Sequence, residues 1–299
     1  MARKRADRCG RIILTTLKKN SCKSQLKIQE SSMNNDPLYH KDGDYFVPTD
    51  RTNSPWSPNL LHGGAIAGIL AYGLQQCSPN PNMRFTRITN DLFRPAPKVP
   101  VKLESRAIRD GSRIAVIETR LMADGKEVAR AVGLRAKIQQ VELPEHALCK
   151  VEMPPRGEDI PITGFLGDRV EGSTYVPGLN YAVDVKLISG FQFKGEGKAW
   201  LRIASPLIGG EENSPLTYLG MLSDFGNGLG QTYIGGNNAC INADINNSIY
   251  RYPASEWVCL DSKTQVQPDG SGTTETMFID EKGPVGRVTQ TLIVKPFGY

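Results

Sequence analysis

The chain has 299 residues, 39% hydrophobic and 22% charged, a composition that supports a packed core of one large or two ordinary domains and excludes a disordered or fibrous protein. No run reaches the ~18–20 apolar residues that a membrane-spanning helix needs. The formal net charge of +5 is local: residues 1–32 hold nine Lys/Arg against Asp7 and Glu30, so the remainder is slightly acidic and lacks the basic footprint of a nucleic-acid binder.

In chain order, the first segment is this basic tail, 1–32, read as a disordered arm outside the fold. Its acid-poor, Ser/Thr-containing composition also suits a mitochondrial presequence, and Met33 is an alternative start. The protein is accordingly expected in the cytoplasm, or in the mitochondrion if the tail is a transit peptide. Residues 33–141 form the first repeat. A helix is expected over 59–76, "NLLHGGAIAGILAYGLQQ", where Leu60, Ile66, Ile69, Leu70 and Leu74 recur at helical spacing. Strands follow at about 84–93, 99–108, 113–122 and 127–138, the last two joined at Asp124-Gly125, a hairpin signal. The Pro/Glu/Gly-rich stretch 142–179 reads as a linker. In the second repeat, 180–299, strands are expected at 181–189 and 198–206, a helix at 215–233, and strands at 245–251, 256–266, 273–280 and 285–295.

The two halves repeat each other at an offset of 157 residues. "ITNDLFR" (88–94) faces "INNSIYR" (245–251), and further on Glu118/Glu275, Thr119/Thr276, Val128/Val285 and Arg130/Arg287 coincide. Such a period sets the architecture before any motif does. One Ala/Gly-rich helix cradled by an antiparallel sheet, written twice, is a double hotdog: an α+β fold in which one chain makes a pseudo-dimer.

Chemistry concentrates at the helices. The first opens with His62-Gly63-Gly64. Helix N-termini carry unpaired N–H groups and partial positive charge, and such an end can hold the oxyanion formed when a carbonyl is attacked. Alternatively, the glycines only allow tight packing. The second helix lacks this motif but carries Asp224 among apolar neighbours, where burial is expected to raise its pKa and suit it to general-base work. Laid on the first helix, Asp224 faces Ala71, so a single composite site is expected. On the strands, Asn242, Asp244 and Asn246 share parity and are expected on one face. Gln290, whose repeat partner is Gly133, is either a water-orienting amide or a satisfied core amide. Six cysteines without CxxC spacing and three scattered histidines suggest reduced thiols, with no metal and no cofactor.

Through "LHGGAIAGILA", "LFRPAP" and "ADGKEVARA" in the first half, the chain resembles the acyl-CoA thioesterase II-like family with tandem hotdog domains. "LSDFGNGL", "NADINNSIYRYPASEW" and "DEKGPVGRVTQTLIVKP" extend the resemblance through the second half, to cover about residues 40–298. It implies hydrolysis of acyl-CoA, or of acyl chains on a carrier, by a water held between an Asp, a hydroxyl and a Gln, without covalent intermediate or cofactor. Asp224 matches the acid and Gln290 the amide. Asn242 stands at the hydroxyl position, departing from the Thr of the best-known members. Arg94, Arg251 and Arg287 are candidates for the CoA phosphates, or plain strand-end charges. Two other readings stay open: a hotdog hydratase or dehydratase, although spacing pairs no acid with His62, and a non-catalytic acyl-binding protein. Assembly into a homo-oligomer is also open.

Overall fold

The structure, a computed structural model, describes residues 36–165, 178–236 and 238–296. The expected basic tail and part of the expected linker lie outside them. Chain order begins with β1 (Tyr39–Asp42), β2 (Tyr45–Pro48), β3 (Asn53–Ser54), β4 (Ser57–Leu61), α1 (Gly63–Gln76), β5 (Met83–Leu92), β6 (Val101–Asp110), β7 (Ile114–Ala123) and β8 (Lys126–Lys137). It continues with β9 (Thr163–Gly164), β10 (Val183–Ser189), β11 (Glu196–Ile203), α2 (Pro215–Leu222), α3 (Phe225–Leu229), β12 (Asn238–Asn242), β13 (Asp244–Ile249), β14 (Val258–Val266), β15 (Ser271–Asp280) and β16 (Gly283–Pro296).

The described residues form one fourteen-stranded antiparallel sheet, with β6-β7-β8-β5 on one side of the centre and β13-β16-β15-β14 on the other. Adding 157 to both members of a residue pair in the first half gives a pair in the second. Thr89↔Val132 becomes Asn246↔Thr289, and Glu118↔Val132 becomes Glu275↔Thr289 in register. At the centre β5 and β13 pair with each other, Thr89 opposite Asn246, so a pseudo-twofold axis passes between these equivalent positions. The β-bulge is duplicated as well: β5 shifts register between Phe85 and Arg87, and the β12–β13 edge shifts between Asn242 and Asn246. The turn predicted at Asp124-Gly125 has both residues at positive φ (+48° and +72°), as a two-residue hairpin loop requires.

Both helices lie against the inner face and run antiparallel to each other. α1 is buried nearly all round (Gly64–Ala71, Gly73 and Leu74), because a wrapped helix has no solvent face. Its far end meets the start of α2, where Ser214 Oγ donates to Gln75 Oε1 (2.6 Å).

Four expectations change. The first helix begins only at Gly63, because Ser57–Leu61 is extended and pairs with β3. The second helix breaks at Ser223–Asp224, and its Gly226, Gly228 and Gly230 support only the short α3. Strands β1, β2 and β12 were not anticipated; β1 and β2 are short, and their only sequence signal is the Asp42–Asp44 turn. The segment expected as a linker contributes structure: Trp200 Nε1 donates to Pro155 O (2.9 Å), while Val151 and Ile160 cover Trp200, Cys259 and Ile279. Among the described residues no helix is long and apolar enough to cross a membrane.

Candidate active site

The first turn of α1 and the last turn of α2 meet at one end of the helix seam, and Gly63 and Gly64 make that meeting possible. A Cβ on Gly63 would lie 2.6–2.7 Å from three carboxylate atoms of Asp224, and one on Gly64 would lie 2.6 Å from Met221 O. Asp224, at the break between α2 and α3, is thereby pressed against the N-terminus of α1.

Its carboxylate is held from three sides. Oδ2 accepts the Gly64 N–H (2.9 Å) and lies 3.0 Å from His62 Nδ1, while Oδ1 accepts Asn242 Nδ2–H (2.6 Å). His62 is also the N-cap residue of α1, its Nδ1 3.0 Å from Gly64 N, and its Nε2 lies 3.0 Å from Asn180 Oδ1. The imidazole stacks on Phe225 (centroids 5.4 Å apart), which in turn meets Phe165 edge-on. The expectation of a raised Asp224 pKa is reversed. Burial, the largest single influence, does push it up. The hydrogen bond and charge of His62, with the donors of Asn242 and Gly64, outweigh burial and hold the carboxylate below its usual range.

The expected amides join the same network. Asn242 Oδ1 accepts from Asn227 Nδ2–H (3.0 Å), so its side chain bridges Asp224 and Asn227. The bulge turns Asn242 inward, away from the face of Asp244 and Asn246, and the expected shared face is not formed. Asp244 instead accepts from Asn246 Nδ2–H and from Thr291 N–H. Gln290 is fully buried; its Oε1 accepts the Asn227 N–H (3.0 Å) and its Nε2 lies 3.5 Å from Asp224 O. It braces the first turn of α3 rather than pointing at the carboxylate.

The arginines are scattered. Arg251 forms a double contact with fully buried Asp280 and donates to Gly283 O. Arg287 lies on the outer face of β16, opposite in parity to Gln290 and 3.9 Å from Glu275. Its repeat counterpart Arg130 pairs with Glu118, the counterpart of Glu275, so the repeated Glu/Arg identity is an outer-face ion pair. Arg94 is exposed just beyond β5. Sequence reasoning missed Asn180, Asn227, Phe225 and Phe165. Only Asn227 carried a signal, three residues after Asp224 in "SDFGNG".

The fold and this seam together define a double hotdog with one acid–histidine–amide centre between its halves. Residues 52–136 match the family model of the acyl-CoA thioesterase N-terminal domain, and residues 153–294 that of the acyl-CoA thioesterase C-terminal domain. The chain therefore belongs to the acyl-CoA thioesterase family with tandem hotdog domains, and is a thioester hydrolase. No curated protein matches it. Solved structures share the fold. A candidate thioesterase II from Thermobifida fusca superposes with TM-score 0.65 at 15% identity, over 87% of this chain and 97% of its own. A tesB protein from Mycobacterium avium subspecies paratuberculosis gives 0.63 at 15%, over 86% and 96%. The acyl-CoA thioesterase II TesB2 from Mycobacterium marinum gives 0.60 at 16%, over 86% and 94%.

Proposed function

We propose that this centre hydrolyses acyl-CoA thioesters through a water activated by Asp224. One observation carries the reading: the carboxylate is kept ionised by three donors in a nearly buried site. A carboxylate offers about four lone-pair sites, which leaves one for a water. That water gives its proton to the Asp224–His62 pair, and its oxygen adds to the thioester carbonyl carbon. The carbonyl oxygen gains negative charge beside the N-terminus of α1, where the Gly63 N–H has no acceptor among the described residues. The C–S bond then breaks, and the thiolate takes up the proton to leave acid and free thiol. Asn242 and Gln290 act by placing Asp224 and Asn227.

The test is thiol release from acyl-CoAs of short to long chain, with Asp224→Asn alongside. Hydrolysis that falls at least ~100-fold in the variant supports the assignment. Hydrolysis that survives moves the base elsewhere. Release only from carrier-bound acyl groups would keep the mechanism and change the donor. The His62–Asp224 contact also suits a second reading, water addition to a 2-enoyl thioester. Loss of enoyl absorbance without thiol release would favour it.

A further inference from the structure

The His62 ring meets an oxygen on each side. Its Nδ1 lies 3.0 Å from Asp224 Oδ2, and its Nε2 lies 3.0 Å from Asn180 Oδ1. His62 is buried and its ring lies against Phe225, so its nitrogens depend on these partners rather than on bulk water. A carboxylate oxygen and an amide oxygen both accept, whereas an imidazole nitrogen presents either a proton or a lone pair. Both contacts are hydrogen bonds only when both ring nitrogens carry protons.

Asn180 reaches the ring from a distant part of the chain and is held there. It sits in a turn of 3-10 helix, Leu179–Tyr181, where Tyr181 N–H donates to Gly178 O (3.0 Å) and Ala182 N–H to Leu179 O (2.9 Å). Leu179 is fully buried, and its methyl lies against Gly64 in the first turn of α1. A Cβ on Gly178 would run into Asn53 O, so the turn is seated on the segment Thr52–Asn53. The same segment holds the backbone of His62, whose N–H donates to Thr52 O (2.7 Å). Ring and amide are thus anchored to one piece of chain. The partner at one nitrogen of a histidine sets what the other nitrogen does.

We infer that Asn180 is a positioning residue for the proposed hydrolysis: its amide oxygen accepts Nε2–H and keeps His62 as the imidazolium that pairs with the Asp224 carboxylate. Without that oxygen, a protonated Nε2 is a buried donor with no acceptor. The ring escapes this state by releasing the Nε2 proton and keeping the one it shares with Asp224. It is then neutral, and the carboxylate loses the positive charge beside it. Asn180 acts through His62 and not on the substrate. The inference rests on the thioesterase reading for its effect on rate, but not for the protonation of the ring.

The experiment reads the ring directly, by nitrogen NMR of the full chain labelled in histidine at neutral pH, with His62→Gln identifying the His62 signals among the three histidines. In wild type both ring nitrogens are expected to carry protons. In Asn180→Ala, Nε2 should lose its proton while Nδ1 keeps one. There kcat for thiol release from acyl-CoA should fall about 10–100-fold with KM little changed, the scale on which a histidine loses the partner that orients it. Asn180→Asp returns an oxygen to Nε2 and should recover the doubly protonated ring and most of kcat. An unprotonated Nε2 in wild type would mean that the amide donates to the ring through its Nδ2, and would overturn the inference. So would an Asn180→Ala protein with the wild-type spectrum and rate, or a loss in Asn180→Asp equal to that in Asn180→Ala. If the Ala variant does not fold, the wild-type spectrum and the Asp variant decide. The spectra need no turnover, so failure of the thioesterase reading, seen as hydrolysis that survives Asp224→Asn, is told apart from failure of the role given to Asn180.

Discussion

Asp224 is the residue on which the chemistry turns, and its environment has a measurable signature. Burial alone would make it a weak acid, protonated nearer neutrality. The His62, Asn242 and Gly64 donors reverse the sign, so the folded state binds its proton more weakly than the unfolded chain does. Its contribution to stability is therefore present above the unfolded pKa and is lost as pH falls through the folded value. The same sign fixes the rate profile. kcat/KM should stay flat from neutrality down to about pH 5, since the acid limb lies below the ordinary Asp value of about 3.9. A limb near neutrality would take the base role from Asp224. The sequence made Asp224 and Gln290 visible as polar residues in apolar surroundings. It could not show the His62 contact, because 162 residues separate the two side chains and only the antiparallel helix seam brings them together.

At the level of elements, the two glycines that open α1 have separate duties, and substitution should separate them. Gly63→Ala drives a methyl into the Asp224 carboxylate, a side chain that can move. Activity should fall about 100-fold, the effect of a roughly 1 Å misplacement, with little change in Tm. Gly64→Ala meets the Met221 backbone carbonyl, which cannot move without spreading the helices. It should cost about 1–3 kcal/mol in urea denaturation. If both variants lose stability equally, the division is wrong. The motif was legible as glycines at a helix start; close packing describes their approach to Asp224 and Met221, and the oxyanion role belongs to the proposed mechanism. The break between α2 and α3 was not legible. A glycine-rich continuation looks like a helix by its apolar spacing. A Cβ on Gly226 would lie 2.2 Å from Thr276 Oγ1 and 2.9 Å from Gln290 Oε1, so a glycine there lets α3 pack closely on the sheet.

Across the whole molecule, the halves share a register but not their charges. Asp280, where the first half has Ala123, is fully buried and accepts from Arg251 and from the Ala254 and Lys282 N–H groups. Burial raises its pKa, and those donors together bring it below the usual range. Its contribution is lost on acidification for the same reason as that of Asp224. Asp280→Ala leaves Arg251 and two backbone donors without their acceptor and should cost about 3 kcal/mol in urea denaturation at pH 7. An unchanged midpoint would show that the pair contributes nothing. Because Arg251 is committed to this lock, its role is read more simply as structural than as a hold on phosphate. By itself the sequence determined the duplication and most of the strands of each half, because strand periodicity and a constant 157-residue offset survive in one dimension. Only the tertiary structure decided which way the bulge turns Asn242, which histidine meets the acid, and that the acid's pKa moves down. Those depend on contacts between residues far apart in the chain, where three donors, two at the start of α1 and one on β12, outweigh the burial of a single carboxylate.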